Sequence, residues 1–182
     1  MKELTLFNND SELNLQFIQQ IADVIPLHQL TKLCLQANSL QLDHLHFLLS
    51  RLSNLHTVIL SNTSSISCCC PNEEILNISK LYHIKRLIID EGSCSYQHFQ
   101  SLIQIFPSLE YLELSIDESI VIRLISWLYS TSNKHHLKSL VALLLLNISY
   151  EAKSTLQTLL NKDDQFNNFQ LQRIAGGWHV WW

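Results

Sequence analysis

Leucines recur through residues 27–38 at a spacing that no single element explains: Leu27, Leu30, Leu33 and Leu35, with Asn38 closing the run. Two periods are joined here. Leu33 and Leu35 are two apart, so in a strand both point into a core while Lys32, Cys34 and Gln36 point outward. Leu27 and Leu30 feed that strand from a bend. The Asn38 amide both donates and accepts, and so can satisfy turn backbone that no ladder reaches. One such unit buries too little apolar surface to stand alone; copies must stack and share a core.

The pattern recurs along the chain. A first unit, Leu4-Thr5-Leu6 with Asn9, leads into a helical spacing of Leu13, Phe17, Ile18, Ile21 and Ile25 that Pro26 ends. The unit at residues 27–38 is followed by a helix carrying Leu42, Leu45, Leu48, Leu49 and Leu52. A third unit has Leu55, Val58 and Leu60, after which Ser61 to Pro71 is expected to be loop and Glu73 to Lys80 a short helix. The fourth has Leu81, Ile84, Leu87 and Ile89, then a helix with Phe99, Leu102, Ile103 and Phe106; the fifth has Leu109, Leu112 and Leu114, then Leu124, Ile125 and Leu128. The sixth has Leu137, Leu140, Leu143 and Leu145, then Leu156, Leu159 and Leu160. Successive first core residues, Leu4, Leu33, Val58, Leu87, Leu112 and Leu143, are 29, 25, 29, 25 and 31 residues apart.

Composition narrows the function. With 47% hydrophobic and 15% charged residues in 182, the chain is too apolar for disorder and long enough for one real core. A net charge of −4, with twelve scattered Lys and Arg, argues against nucleic acid. The most apolar run, Leu140 to Ile148, is broken by Asn147 and falls short of the roughly 20 residues of a spanning helix. Met1-Lys2-Glu3 leads directly into a repeat and not into an apolar signal region, so a cytoplasmic or nuclear setting is expected. Five cysteines, three of them adjacent as Cys68, Cys69 and Cys70, suit reduced thiols, and the sequons at Asn9, Asn62, Asn77 and Asn147 are discounted accordingly.

On the residues Leu27 to Asn38, with helical returns every 25 to 31 residues, the chain resembles the leucine-rich repeats of ribonuclease-inhibitor-like and F-box-associated proteins over residues 1–165. The closing position departs from that pattern at Thr63, Gly92, Asp117 and Ile148, where water or smaller polar groups must serve the turn backbone. The resemblance implies an α/β solenoid, a short right-handed horseshoe of about six repeats with a parallel sheet on its concave side. It also implies a protein-binding module, either the substrate-recognition part of an F-box-type ubiquitin ligase or a scaffold with no ligase role.

The two ends differ. Phe169 to Ile174 and Trp178 to Trp182 alternate on either side of Gly176-Gly177, which signals a hairpin; as a cap over residues 166–182, it turns Trp178, Val180 and Trp182 onto the open core. The N-terminal strand lacks such a cap, so an upstream domain or self-association is expected at its edge.

No enzyme signature is present. Three glycines leave no phosphate-cradling loop, and no nucleophile elbow occurs. His44 and His46, two apart on a helix, face different ways, and the cysteine run lacks the companion ligands of a zinc site, so no metal and no cofactor are expected. The acid pair Asp117-Glu118 reads as a helix start. The expected binding surface is the outward strand face: Lys32, Cys34 and Gln36; Ile59; Arg86, Ile88 and Asp90; Tyr111 and Glu113. Apolar centres flanked by charge resemble an interface core with its rim.

Overall fold

Alternating burial along successive strands organises the molecule. The computed structural model describes residues 2–8, 20–21, 25–61, 65–67, 80–90, 96–115, 117–128, 139–161, 170–174 and 177–181. Its strands are β1 (Glu3–Asn8), β2 (Lys32–Ala37), β3 (Ser39–Gln41), β4 (Thr57–Ser61), β5 (Ser65–Ser67), β6 (Arg86–Asp90), β7 (Tyr111–Ser115), β8 (Ala142–Leu146), β9 (Gln170–Ile174) and β10 (Gly177–Trp181). The helices described are α1 (Leu42–Ser50), α2 (Tyr96–Ile105), α3 (Glu118–Leu128) and α4 (Tyr150–Asn161).

Eight strands form one mixed sheet in the order β1-β2-β4-β6-β7-β8-β10-β9, and β3 and β5 form a second, parallel pair. From β1 to β8 the main sheet is parallel. One register runs through it, with Leu4, Leu33, Val58, Leu87, Leu112 and Leu143 side by side, and Leu6, Leu35, Leu60, Ile89, Leu114 and Leu145 forming the next row. A repeated contact holds that register. The carbonyls of Lys2, Thr31, His56, Lys85 and Glu110, each just before its strand, accept from two consecutive N–H groups at the start of the next strand. Tight bends precede the strands, with Leu30 N–H reaching the Leu27 carbonyl and Leu55 N–H that of Leu52, and those leucines are buried.

These two rows and the helices' apolar residues share one core. Leu45, Leu48 and Leu49 of α1, Phe99 and Leu102 of α2, and Leu124 and Ile125 of α3 join the strand leucines in a single buried cluster. The helix starts are tied together. The Asp117 carboxylate accepts from the Ser119 N–H and hydroxyl, which hold its pKa below the ordinary carboxylate value. Glu118 accepts from both the N–H and the hydroxyl of Ser149, and the Ser149 oxygen in turn accepts from Ala152 N–H in the first turn of α4.

Two expectations need correction. The anticipated leucine-rich-repeat solenoid, a horseshoe of about six repeats closed by a separate hairpin cap, is replaced by a single mixed α/β sheet. Evenly spaced strand pairs with helices between them are equally the mark of a sheet whose parallel strands follow one another in chain order. Periodicity also carries no information about the direction of the last strands. The hairpin does form, but β10 pairs antiparallel with β8 and β9 with β10, so both lengthen the sheet. Val180 lies fully buried beside Leu143 and Trp178 packs partly on the core, while Trp182 falls outside the described residues. Secondly, the stretch expected as loop after Ser61 contains β5, which pairs with β3. Of the first expected helix, Leu13 to Ile25, residues 20–21 are helical and the Ile25 N–H reaches the Ile21 carbonyl, while residues 13–19 and 22–24 lie outside the described residues, as do Cys68 to Cys70 and all of Glu73 to Lys80 except Lys80.

Gly177 explains how β10 docks so closely. A Cβ there would sit 2.6 and 2.9 Å from the side chains of Leu146 and Leu144 and 3.2 Å from the Leu145 carbonyl oxygen.

Candidate protein-binding face

On the face of the sheet turned away from the core, the outward residues line up strand by strand, and among the described residues no helix is seated on them. One row runs Glu3, Lys32, Thr57, Arg86, Tyr111 and Ala142; the middle row runs Thr5, Cys34, Ile59, Ile88, Glu113 and Leu144. A third row holds Phe7, Gln36, Ser61, Asp90 and Ser115. All nine expected residues, Lys32, Cys34, Gln36, Ile59, Arg86, Ile88, Asp90, Tyr111 and Glu113, therefore lie on this one face. Arg86 and Asp90 are exposed and the other seven half-buried.

Three of them touch. The Arg86 guanidinium stacks 4.2 Å from the Tyr111 ring centroid, the Tyr111 hydroxyl donates to Glu113 Oε2 at 3.1 Å, and Arg86 Nη2 lies 3.6 Å from that same oxygen. Register makes this possible: Arg86 is directly opposite Tyr111, and Glu113 is two residues along the same face. Burial, together with the Glu113 charge and hydrogen bond, pushes the Tyr111 pKa above its usual value, with Arg86 opposing. The phenol thus stays a neutral donor at physiological pH. A second pair, Lys32 to Glu3 at 2.7 Å, bridges β2 and β1, and Lys85 to Glu110 at 3.0 Å sits at the strand entrances.

The face extends beyond the expected residues. Leu144 is 8% exposed, and His179 of β10 lies beside it with its ring edge-on to Trp181, centroids 6.5 Å apart. Trp181 Nε1 donates to Gln170 Oε1 at 3.1 Å. Alternation in the C-terminal run, with Trp178 and Val180 inward, is the signal that places His179 and Trp181 outward. A polar contact at the sheet's rim had no such signal: Asn147 adopts a left-handed backbone, φ 60°, and its amide donates to Ser115, the one buried polar residue among those described. His83, in the turn before β6, was also not anticipated. Its Nε2 is buried and finds no hydrogen-bond partner among the described residues, and burial lowers its pKa, with nearby His56 adding to the effect and a Leu49 backbone hydrogen bond opposing it.

Among the described residues, no group of three His, Cys, Asp or Glu could hold a metal ion, and no helix is long and apolar enough to cross a membrane. Fold and face together define an α/β protein with one solvent-facing sheet surface that carries an apolar strip and a charged, aromatic flank. No family model and no curated protein matches the chain.

Proposed function

We propose that the chain is a protein-binding module and that the open sheet face is where the partner sits. The observation that carries this is the half-buried apolar run of Cys34, Ile59 and Ile88 in the middle row, which ends at Glu113 of the Arg86–Tyr111–Glu113 cluster and resumes beyond it at the buried Leu144. Tyr and Arg are the side chains most enriched among residues that dominate binding energy, and apolar centres within polar rims are the ordinary anatomy of an interface. The cluster is also preorganised. Its internal contacts hold Arg86 and Tyr111 in place, so a partner pays less side-chain entropy to meet them.

The resemblance to F-box-associated proteins extends this to a more specific reading, in which the bound protein is a target brought to a cullin-type ubiquitin ligase, within the cytoplasm or nucleus. A scaffold with no ligase link is the alternative. One capture experiment from cell extract, with the full chain as bait, addresses both. Proteins held through this face are lost with Arg86→Glu and Tyr111→Ala combined, and kept with Glu151→Lys on α4. Recovery of the ligase adaptor among them supports the ligase reading; its absence favours the scaffold. Equal capture by the double variant removes the face from consideration.

A further inference from the structure

The edge of β1 lies apart from the outward rows of the sheet. Among the described residues, β1 has a neighbouring strand on one side only. Because the Thr31 and Lys32 N–H groups both reach the Lys2 carbonyl, at 3.0 and 3.4 Å, the even-numbered residues here turn their peptide groups toward β2. The odd-numbered Glu3, Thr5 and Phe7 therefore turn theirs, N–H and C=O alike, to the free edge.

We propose that β1 pairs antiparallel with β1 of a second copy of this chain, about a two-fold axis at Thr5. In that register Thr5 faces Thr5 of the second copy and Glu3 faces its Phe7, each pair exchanging both backbone hydrogen bonds. Leu4 then lies against Leu6 of the second copy on the core side, so the two cores run together. Leu4 is only half-buried in one chain, whereas its neighbours in the same row, Leu33 and Val58, are fully buried. Phe7, 65% exposed, gains a neighbour. No like charges meet, because Glu3 stays paired with Lys32 of its own chain.

The far edge explains why the occupant is a second β1 and not β9 of another copy. β9 shows Gln170 and Gln172 on the open face and places Arg173 in the core-side row beside Trp178. A head-to-tail β1–β9 contact would set that charge against the leucines of β1, a device that keeps edges apart. A two-fold contact avoids it and closes on itself.

Sedimentation equilibrium of the full chain reads the prediction directly. The wild type is expected to approach twice its 21.1 kDa as loading rises. Thr5→Lys and Thr5→Glu, each placing like charges across the axis, should both run as monomers with unchanged circular dichroism. Mixed in equal amounts, they should dimerise again, since Lys then faces Glu. Thr5→Pro is a further variant; it removes an N–H that β2 does not use and should also abolish the dimer without unfolding β1. A wild type that stays monomeric at every loading, a dimer untouched by Thr5→Lys, or a mixture that fails to reassociate would each overturn the proposal.

Discussion

At one end of the main sheet, β9 presents Gln170 and Gln172 to the open face and Arg173 on the core side; at the other, β1 presents Thr5 and Phe7 outward and Leu4 and Leu6 inward. Both strands are edges of the same sheet, and both have half-buried members in the row whose central residues, Leu33, Val58, Leu87, Leu112 and Leu143, are at most 2% exposed. The difference lies in what each edge tolerates beside it. The exposed Arg173 on the core side of β9 disfavours a further strand there, whereas the leucines of β1 would continue a core across the proposed contact. Sheet position thus sets how much a residue contributes, and edge chemistry sets whether the sheet stops.

One charge placed at two positions in the same row separates the sheet's middle from its edge. Leu112→Asp, in the middle, should cost on the order of 5 kcal/mol through lost apolar burial and carboxylate desolvation, enough to unfold a marginally stable domain. Leu171→Asp, at the β9 edge, should leave a cooperative urea transition. Equal losses would mean that the sheet does not grade from centre to edge. Truncation gives a milder version. Leu33→Ala should cost about 3 kcal/mol and Leu4→Ala about 1 kcal/mol in the monomer, and that gap should narrow at loadings where β1 is covered.

Gly177→Ala tests how the hairpin end is fastened. The added methyl meets two leucine side chains that can shift and a backbone carbonyl that cannot, so a loss of about 1–2 kcal/mol is expected in chemical denaturation. No loss would mean that β10 can slide on β8.

The smallest effect is a pH dependence at His83, in the turn before β6. Burial holds the folded His83 pKa below its usual 6.5, so the unfolded chain binds more protons once pH falls below that value. Stability from this group is complete above about 6.5 and is lost as pH drops toward the folded pKa. His83→Asn should flatten the fall in urea midpoint between neutral and mildly acid pH; an unchanged slope would assign it to other groups.

Much of this was legible in residue spacing. Strand pairs such as Leu33 and Leu35 name their own inward faces, and helices such as α1 declare themselves by Leu42, Leu45, Leu48 and Leu49. The nine outward residues were therefore placed on one face by alternation alone. What spacing lacks is register and direction. The stacking of Arg86 on Tyr111 depends on which residues lie opposite, and the mixed sheet depends on β10 running antiparallel to β8. β3 and β5, three residues each with one apolar centre, are too short for any period to show. Asn147, whose left-handed turn secures Ser115, is one residue away from the position where the repeat pattern looked for an asparagine.

Whether the outward sheet face holds a partner protein is read by site-specific photo-crosslinking in cells. A crosslinker at Ile88, in the middle row of the face, is compared with one at Tyr150, 76% exposed on α4. Discrete adducts to other proteins from position 88, absent from position 150, are the predicted result. Adducts from Tyr150 alone, or the same adducts from both positions, would mean that the partner does not sit on this face.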